Sequence, residues 1–457
     1  MTSTSHKILT KTAEAPSVAL GKAVVMTQVV RDASINNAVV RRSKNYWVAL
    51  GPGLTTGASD DDSSGVATYS QAGAQYGYGL LWMAPWTFPL MAVVQEMCAR
   101  IGIVTGRGLA GNIRTHFSKK ILYVCTIALF AANTFNIGAD LGAMAKGVQL
   151  LSPQLNFYML VIGFALFSLL LQIFTSYARY AKYLKYLALI LLSYVLSALL
   201  AHLNWGDILK HTFVPHISFS KDSILIISAI LGTTISPYLF FWQTSQEVEE
   251  QIVQGKTTLR MRQPTDPQDI HKMRIDVWSG MFLSNLVMFF IIAACGGILF
   301  PHGITTIGTA AQAAEALRPF AGNATYFLFA MGIIGVGLLA IPVLAGSSSY
   351  AIAESMGWKQ GLYRNLPQAR AFYGIIIISM LVGLGINFIG LDPIKALIYA
   401  AVGNALVAPL ILALIVLLGS NKKIMGHWSN NKLTAIFGWI AFLVMLVSGV
   451  ATIFSFF

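Results

Sequence analysis

The sequence is dominated by long apolar stretches separated by short polar connections, and this pattern fixes the fold class. Of its 457 residues, 56% are hydrophobic and only 11% are charged. A membrane-spanning helix needs about 20 mostly apolar residues, and soluble domains carry about twice this charge content. We therefore predict an all-α polytopic membrane protein. Eleven spans are predicted, at residues 46–77, 79–104, 120–150, 155–174, 183–203, 222–247, 275–300, 321–346, 371–390, 394–418 and 434–457.

The charges in the connections alternate along the chain. Every second connection carries a cluster of Lys and Arg, and the intervening ones carry scattered charges. Basic loops stay on the cytoplasmic side, so the N-terminus is predicted in the cytoplasm and the C-terminus outside the cell (inner) membrane. Residues 1–45 lack the apolar core of a signal peptide and are predicted to be a largely disordered cytoplasmic tail. The net charge of +13 is thus explained by topology, and no nucleic-acid partner is expected.

The first apolar stretch is interrupted by Asp60-Asp61-Asp62-Ser63-Ser64-Gly65. Each aspartate at the centre of a bilayer costs about 2.5–3.5 kcal/mol. The Ser and Gly residues are weak helix formers, so the helix is predicted to break here and to expose backbone carbonyls. A bound cation is the expected source of compensation for the carboxylates.

The sixth stretch contains a matching interruption, Gly232-Thr233-Thr234-Ile235-Ser236-Pro237-Tyr238. Proline removes a backbone donor and frees the carbonyls one turn earlier. Two broken spans five apart indicate an inverted repeat of five plus five helices with a site at the membrane midplane. The predicted parts are the tail 1–45, a first repeat 46–203, an external connection 204–221, a second repeat 222–419, and a cytoplasmic loop with an eleventh helix at 420–457.

The two breaks together predict a metal site made of oxygen donors. Asp62, beside the break, is the expected direct ligand, and Asp60 and Asp61 are expected to act through water or to line the access path. Oxygen ligands suit a hard cation such as Mg²⁺, which keeps much of its water. Ser236 bonded within its own helix, and Tyr238 as a core residue, remain open alternatives. The further donors and lining residues are Thr233, Thr234, Ser236, Tyr238, Gly65 and Asn404.

Several motifs resemble the NRAMP family of divalent-metal transporters: Gly51-Pro52-Gly53, the Asp-rich break, Ala67 to Tyr78, and Thr105-Gly106-Arg107. The resemblance implies a LeuT-type fold with a metal site between broken helices 1 and 6. The family's Asp-Pro-Gly-Asn motif falls on residues 62–65, so its aspartate is Asp62. Its Met-Pro-His motif falls on residues 236–238, and its upstream alanine falls on Thr233.

The departures from these motifs resemble the branch of NRAMP-related magnesium transporters. That resemblance implies transport of Mg²⁺ and Mn²⁺ in partly hydrated form. The family's two histidines of helix 6 fall on Tyr238 and Gln243, and Asn136 replaces an acidic residue of helix 3. We therefore expect no obligatory proton coupling. Asp140 either caps a neighbouring helix or relays protons.

Other readings of the sequence stay open. A proton-coupled Mn²⁺/Fe²⁺ transporter of the usual family type is the first alternative. A Mg-dependent intramembrane prenyltransferase is the second, although a second acidic motif is missing; an enzyme is not expected. The glutamates at the end of the sixth span (Glu247, Glu249 and Glu250) are interpreted as a solvated helix end. Beyond the lipid bilayer and the ion, no cofactor and no obligate protein partner are inferred.

Overall fold

The protein is described by a computed structural model covering residues 46–201, 203–215, 220–389 and 393–455, including in the last range the side chains of residues 404 and 407–454. The predicted tail 1–45 lies outside the described residues, as do residues 216–219 of the predicted external connection. Of the described residues, 46–50 belong to one unit, in which residues 46–49 are helical. All other described residues belong to the unit that begins at Gly51.

The described regular structure of this second unit is helical throughout. The helices of its first half are α1 (Pro52–Asp60), α2 (Ser63–Tyr76), α3 (Met83–Thr105), α4 (Leu109–His116), α5 (Lys119–Leu151), α6 (Phe157–Phe174), α7 (Tyr177–Leu187), α8 (Leu192–Leu200) and α9 (Trp205–Phe213). Those of its second half are α10 (Lys221–Thr234), α11 (Pro237–Val253), α12 (Leu259–Arg262), α13 (Pro267–Ile298), α14 (Ala310–Met356), α15 (Arg370–Ile386), α16 (Pro393–Ser420), α17 (Lys422–Met425) and α18 (Lys432–Ser455).

Within the described ranges, eight helical segments are long and apolar enough to cross a membrane. A ninth candidate is the pair Val407–Ser420 and Lys422–Trp428, which bends by 59°. The broken pair α1–α2 and the shorter apolar helix Arg370–Ile386 occupy two further predicted positions. The all-helical membrane fold is confirmed, whereas the count of eleven crossings stays a prediction. The eight segments are Met83–Thr105, Lys119–Leu151, Phe157–Phe174, Tyr177–Leu200, Lys221–Val253, Pro267–His302, Ala310–Met356 and Lys432–Phe454.

Both predicted helix breaks are present. Helix α1 ends at Asp60, Asp61 has φ −82° and ψ 50°, and Asp62 adopts an extended conformation as the N-cap of α2. Helix α10 ends at Thr234, and α11 begins at Pro237, a first-turn position where the missing N–H has no intrahelical partner to lose.

Helix α1 is held tightly against α13. A methyl group at Gly57 would overlap the backbone of Gly280, and one at Gly53 would overlap the backbone of Val277. At the start of α1, the Asp276 carboxylate accepts hydrogen bonds from the amides of Gly51 (2.7 Å), Gly53 (2.7 Å) and Leu54 (3.0 Å). These contacts fix the broken helix from one end and along one face, and so set the position of Asp60.

The interpretation of the sixth span's end as solvated is wrong for two of its three glutamates. Glu247 and Glu249 are buried, with 6% and 2% of their surfaces exposed. Glu249 accepts hydrogen bonds from the Tyr350 hydroxyl (2.6 Å) and the Leu362 amide (2.8 Å). These donors lie more than one hundred residues further along the chain, where local charge patterning has no information about them.

Candidate metal site

The two helix breaks lie against each other in the interior. The Tyr69 hydroxyl on α2 is 3.3 Å from Thr234 Oγ1 at the end of α10. From the other side, the Tyr238 hydroxyl on α11 donates to the carbonyl oxygen of Ser59 on α1 at 2.7 Å. All four of these residues are buried. The structure therefore brings together the two motifs that the sequence singled out separately.

Asp62 is oriented by the helix that it caps. One of its oxygens, Oδ1, accepts hydrogen bonds from the Gly65 amide (2.9 Å) and the Ser64 hydroxyl (2.5 Å). Gly65 thus contributes a backbone donor, and a side chain there would press on Tyr69 and the Asp60 carbonyl at 3.4 Å. No hydrogen bond to Asp62 Oδ2 occurs within the described structure. That oxygen is left for another partner.

Asp60 and Asp61 share a single donor. The Ser284 hydroxyl on α13 lies 3.0 Å from Asp60 Oδ2 and 3.4 Å from Asp61 Oδ1. The remaining oxygens, Asp60 Oδ1 and Asp61 Oδ2, are buried without a hydrogen-bond partner. Among the described residues, no Lys, Arg or His nitrogen lies within 4.0 Å of either carboxylate. Buried and uncompensated negative charge of this kind is strongly unfavourable unless a bound cation or a proton neutralises it.

A fourth carboxylate, Asp140 on α5, approaches the same break. Its Oδ1 accepts the Ser63 amide at 3.0 Å, and its Oδ2 is buried without a partner. Asp140 therefore caps α2, one of the two roles left open for it. Asp62 accepts the Gly65 amide at the same end of α2. Both carboxylates thus face the same helix N-terminus, where the backbone dipole favours negative charge.

The hydroxyl groups at the second break donate hydrogen bonds to nearby backbone carbonyls. Ser236 Oγ donates to the carbonyl oxygens of Thr233 (2.7 Å) and Gly232 (3.0 Å). The Thr233 and Thr234 hydroxyls donate to the Ile230 carbonyl at 3.0 Å and 2.7 Å. Because each hydrogen points into the protein, the oxygen lone pairs remain available as ligands. These oxygens are therefore better suited to bind a cation than to donate a hydrogen bond to a further acceptor.

Asn404 is buried at 4% exposure, and its Oδ1 has no hydrogen-bond partner. No hydrogen bond joins it to the three aspartates within the described structure, so its place as a lining residue rests on the sequence.

Ser284 was missed from the sequence because a serine inside an apolar span carries no distinguishing signal. In the described part of the chain, no three His, Cys, Asp or Glu side chains are arranged to hold a metal ion together.

The sequence of this chain matches the sequence model of a known protein family. The sequence model of the family described as natural resistance-associated macrophage protein-like (Nramp) matches residues 53–455. The chain belongs to the Nramp family. The family predicted from the sequence motifs is thereby confirmed.

The relatives cover nearly the whole chain. A protein named divalent metal cation transporter MntH from Clostridium acetobutylicum is 27% identical over 434 residues, or 91% of this chain and 93% of the relative. The protein of the same name from Caldanaerobacter subterraneus is 26% identical over 416 residues, or 89% and 93%. These relatives are named as transporters, so this chain is assigned to a transporter family and not to an enzyme class.

The solved structures show the fold. The Eremococcus coleocola manganese transporter, in complex with an aromatic bis-isothiourea substituted compound, superposes with a TM-score of 0.68 at 18% identity, covering 89% of this chain and 86% of that one. Mhp1, a nucleobase-cation-symport-1 family transporter, superposes with a TM-score of 0.55 at 14% identity, covering 89% and 92%. The predicted LeuT-type fold with broken helices 1 and 6 is confirmed.

Proposed function

We propose that this protein carries divalent metal cations across the membrane by alternating access, with Mg²⁺ as the main ion and Mn²⁺ as a second. The observation that carries the proposal is the pair of partnerless oxygens on Asp60 and Asp61, buried where two broken helices meet. The names of the relatives, divalent metal cation transporter and manganese transporter, support the class of ion.

The proposed ligands are the residues predicted from the two breaks. Asp62 contributes Oδ2, because its Oδ1 is engaged by α2. Asp60 and Asp61 contribute their charge directly or through bound water. On the second break, the Thr233 carbonyl and the oxygens of Ser236 and Tyr238 complete the set. Thr234, Gly65 and Asn404 are proposed to line it.

The proposal of Mg²⁺ rests on the chemistry of the donors. Every candidate atom at the two breaks is an oxygen, and Mg²⁺ binds through one or two carboxylates while keeping several waters. Methionine sulfur or histidine nitrogen would favour softer metals, but Ser236 and Tyr238 occupy those motif positions. These substitutions support placing the chain with the NRAMP-related magnesium transporters.

Transport is proposed to proceed without obligatory proton coupling. The helix 6 positions that hold histidine in the usual family are Tyr238 and Gln243. Neither side chain exchanges a proton near neutral pH. Gln243 instead donates a hydrogen bond to Glu247 at 2.8 Å.

The proposed setting is the cell (inner) membrane, with the N-terminus in the cytoplasm and the C-terminus outside. Alternation of basic connections supports this orientation. The repeats are proposed to span residues 46–203 and 222–419, with the helix of 420–457 added to them. The protein needs the bilayer and the ion, and no obligate protein partner is proposed.

The test is transport by the purified full chain in liposomes that contain a fluorescent indicator for Mg²⁺. Uptake of Mg²⁺, or competition by millimolar Mg²⁺ against Mn²⁺ uptake, is expected, and Asp62→Ala should abolish it. Uptake of Mn²⁺ or Cd²⁺ that millimolar Mg²⁺ leaves unchanged would refute the Mg²⁺ proposal and favour a Mn²⁺/Fe²⁺ carrier. A pH indicator in the same liposomes should stay constant during metal uptake. Metal-dependent acidification would refute uncoupled transport.

A further inference from the structure

A polar cavity lies away from the helix breaks, beside two of the basic connections. Its volume is about 430 Å³, and it lies between α4, the end of α11, α12 and the segment that follows α14. Small-molecule sites have volumes of about 300–1,000 Å³. The cavity is therefore large enough for more than a single water or inorganic ion.

The rim of this cavity is strongly positive. Four cationic side chains line it: Arg107, Arg114 and Lys119 from the connection between α3 and α5, and Arg262 from the connection between α11 and α13. Arg107 and Lys119 are exposed, and Arg114 and Arg262 are half-buried. Within the described residues, none of the four has a carboxylate oxygen within 4.0 Å of its nitrogens. Burial lowers the pKa of the Arg262 guanidinium, which donates hydrogen bonds to the backbone carbonyls of Gly106, Lys256 and Thr257.

Two glutamates also line the cavity, but their oxygens are already engaged. Glu249 accepts hydrogen bonds from the Tyr350 hydroxyl and from the amides of Leu362 and Tyr363. Glu354 accepts the Gly111 amide at 2.8 Å. The four cations against two carboxylates leave an excess of two positive charges around the cavity. A passage for a departing metal cation would need the opposite sign.

A free donor lies in the cavity wall. Ser245 on α11 lines the cavity, only 2% of its surface is exposed, and its Oγ has no hydrogen-bond partner among the described residues. Such an atom costs free energy unless a ligand or water binds it. Two aromatic rings stand at the opening, Trp358 with 45% and Tyr363 with 39% of its surface exposed. Exposed rings of this kind can stack on a planar ligand group.

We propose that this cavity is a binding site for a phosphate-bearing ligand, held by the guanidinium groups of Arg107, Arg114 and Arg262, the Lys119 ammonium and the Ser245 hydroxyl. Guanidinium groups bind phosphate through paired, charge-assisted hydrogen bonds, and this accounts for four cations without carboxylate partners. The ligand is either a soluble phosphate compound such as a nucleotide or the headgroup of an anionic phospholipid. Both present the same phosphate chemistry to the rim.

Equilibrium dialysis tests the proposal on the purified full chain in neutral detergent with a metal chelator. Radiolabelled ATP is the soluble probe, and short-chain phosphatidylglycerol is the lipid probe. Saturable binding of one equivalent of either probe per chain is expected, and the probe that binds identifies the source. Combining Lys119→Gln with Arg114→Gln should weaken this binding by about tenfold or more, the loss expected for a charge-assisted hydrogen bond.

The matched control is Lys272→Gln, which removes an exposed lysine from a basic connection without touching the cavity. Its binding should equal that of the unaltered protein. Lys119→Gln alone alters only an exposed rim residue and keeps the test valid if the double variant does not fold. No saturable binding of either probe at millimolar concentration would overturn the proposal. So would equal losses in Lys119→Gln and Lys272→Gln.

Discussion

The pair Asp60 and Asp61 gives the sharpest test of the metal site, because removing one charge has opposite effects with and without metal. Both carboxylates hydrogen bond to Ser284 Oγ, at 3.0 Å and 3.4 Å, so the bonded oxygens lie about 6 Å apart or closer. At an effective dielectric constant of about 20, two unit charges at this distance repel by about 2.5 kcal/mol. Replacing one aspartate by the isosteric asparagine removes that repulsion.

Asp61→Asn should therefore stabilise the metal-free protein by about 2.5 kcal/mol or more, visible as a higher temperature of unfolding in detergent with a chelator. In the unaltered protein, Mg²⁺ or Mn²⁺ at 100 times Kd should add about 2.7 kcal/mol of stability. The variant should lose most of this increment, because the site then holds one carboxylate charge fewer.

The control for this experiment is Asp222→Asn, which changes an exposed aspartate in the first turn of α10. It should leave the metal-dependent increase in unfolding temperature unchanged. A metal-free Asp61→Asn protein that is less stable than the unaltered one, together with an undiminished metal effect, would refute the reasoning. The carboxylate pair would then be balanced within the protein and unrelated to the ion.

Three further predictions concern the residues around the site. Ser236→Met should increase competition by Cd²⁺ relative to Mg²⁺ in liposome uptake, because sulfur favours softer ions. Ser228→Met, on α10 before the break, should not, and equal effects would remove Ser236 from the ligand set. Gly57→Ala should lower the free energy of unfolding by about 1–3 kcal/mol through overpacking against Gly280. Gly163→Ala, where nothing lies within 4 Å of an added methyl group, should be neutral or stabilising in the same thermal assay. Asp276→Ala removes the acceptor of three amides and should cost at least about 1–3 kcal/mol; an unchanged unfolding temperature would show that the start of α1 does not depend on this carboxylate.

The helix breaks were predictable because their causes are local. Asp, Ser and Gly in the first span, and Pro237 in the sixth, act on the backbone within one turn, so the sequence is sufficient to locate them. The structure ends α1 at Asp60 and begins α11 at Pro237, as these signals require. The fold class follows from the same kind of information, since apolar length needs no knowledge of partners.

The environment of the charged side chains was predictable only in part. Glu96 and Arg100, four residues apart on α3, form an ion pair at 3.5 Å, and this spacing can be read directly from the sequence. Arg274, far along the chain, adds a second pair with Glu96 at 2.9 Å. Glu249 and Ser284 show the same limit, because their partners come from distant helices. Sequence spacing gives contacts within one helix, and only the packing of helices gives the rest.

The packing also explains how a site with so much negative charge keeps its shape when no ion is bound. The first-turn amides of α2 are used by two carboxylates, since Ser63 donates to Asp140 and Gly65 donates to Asp62. These hydrogen bonds hold the two side chains at the positive end of the helix dipole without help from a metal. Among the described residues, Ser284 is the one side-chain donor to Asp60 and Asp61, and their partnerless oxygens carry the charge that the proposed ion would neutralise. In the proposed transport cycle the protein returns without an ion, and the hydrogen-bonded carboxylates of Asp62 and Asp140 would keep the site in place during that return, whereas Asp60 and Asp61 would provide the charge that binds the next ion.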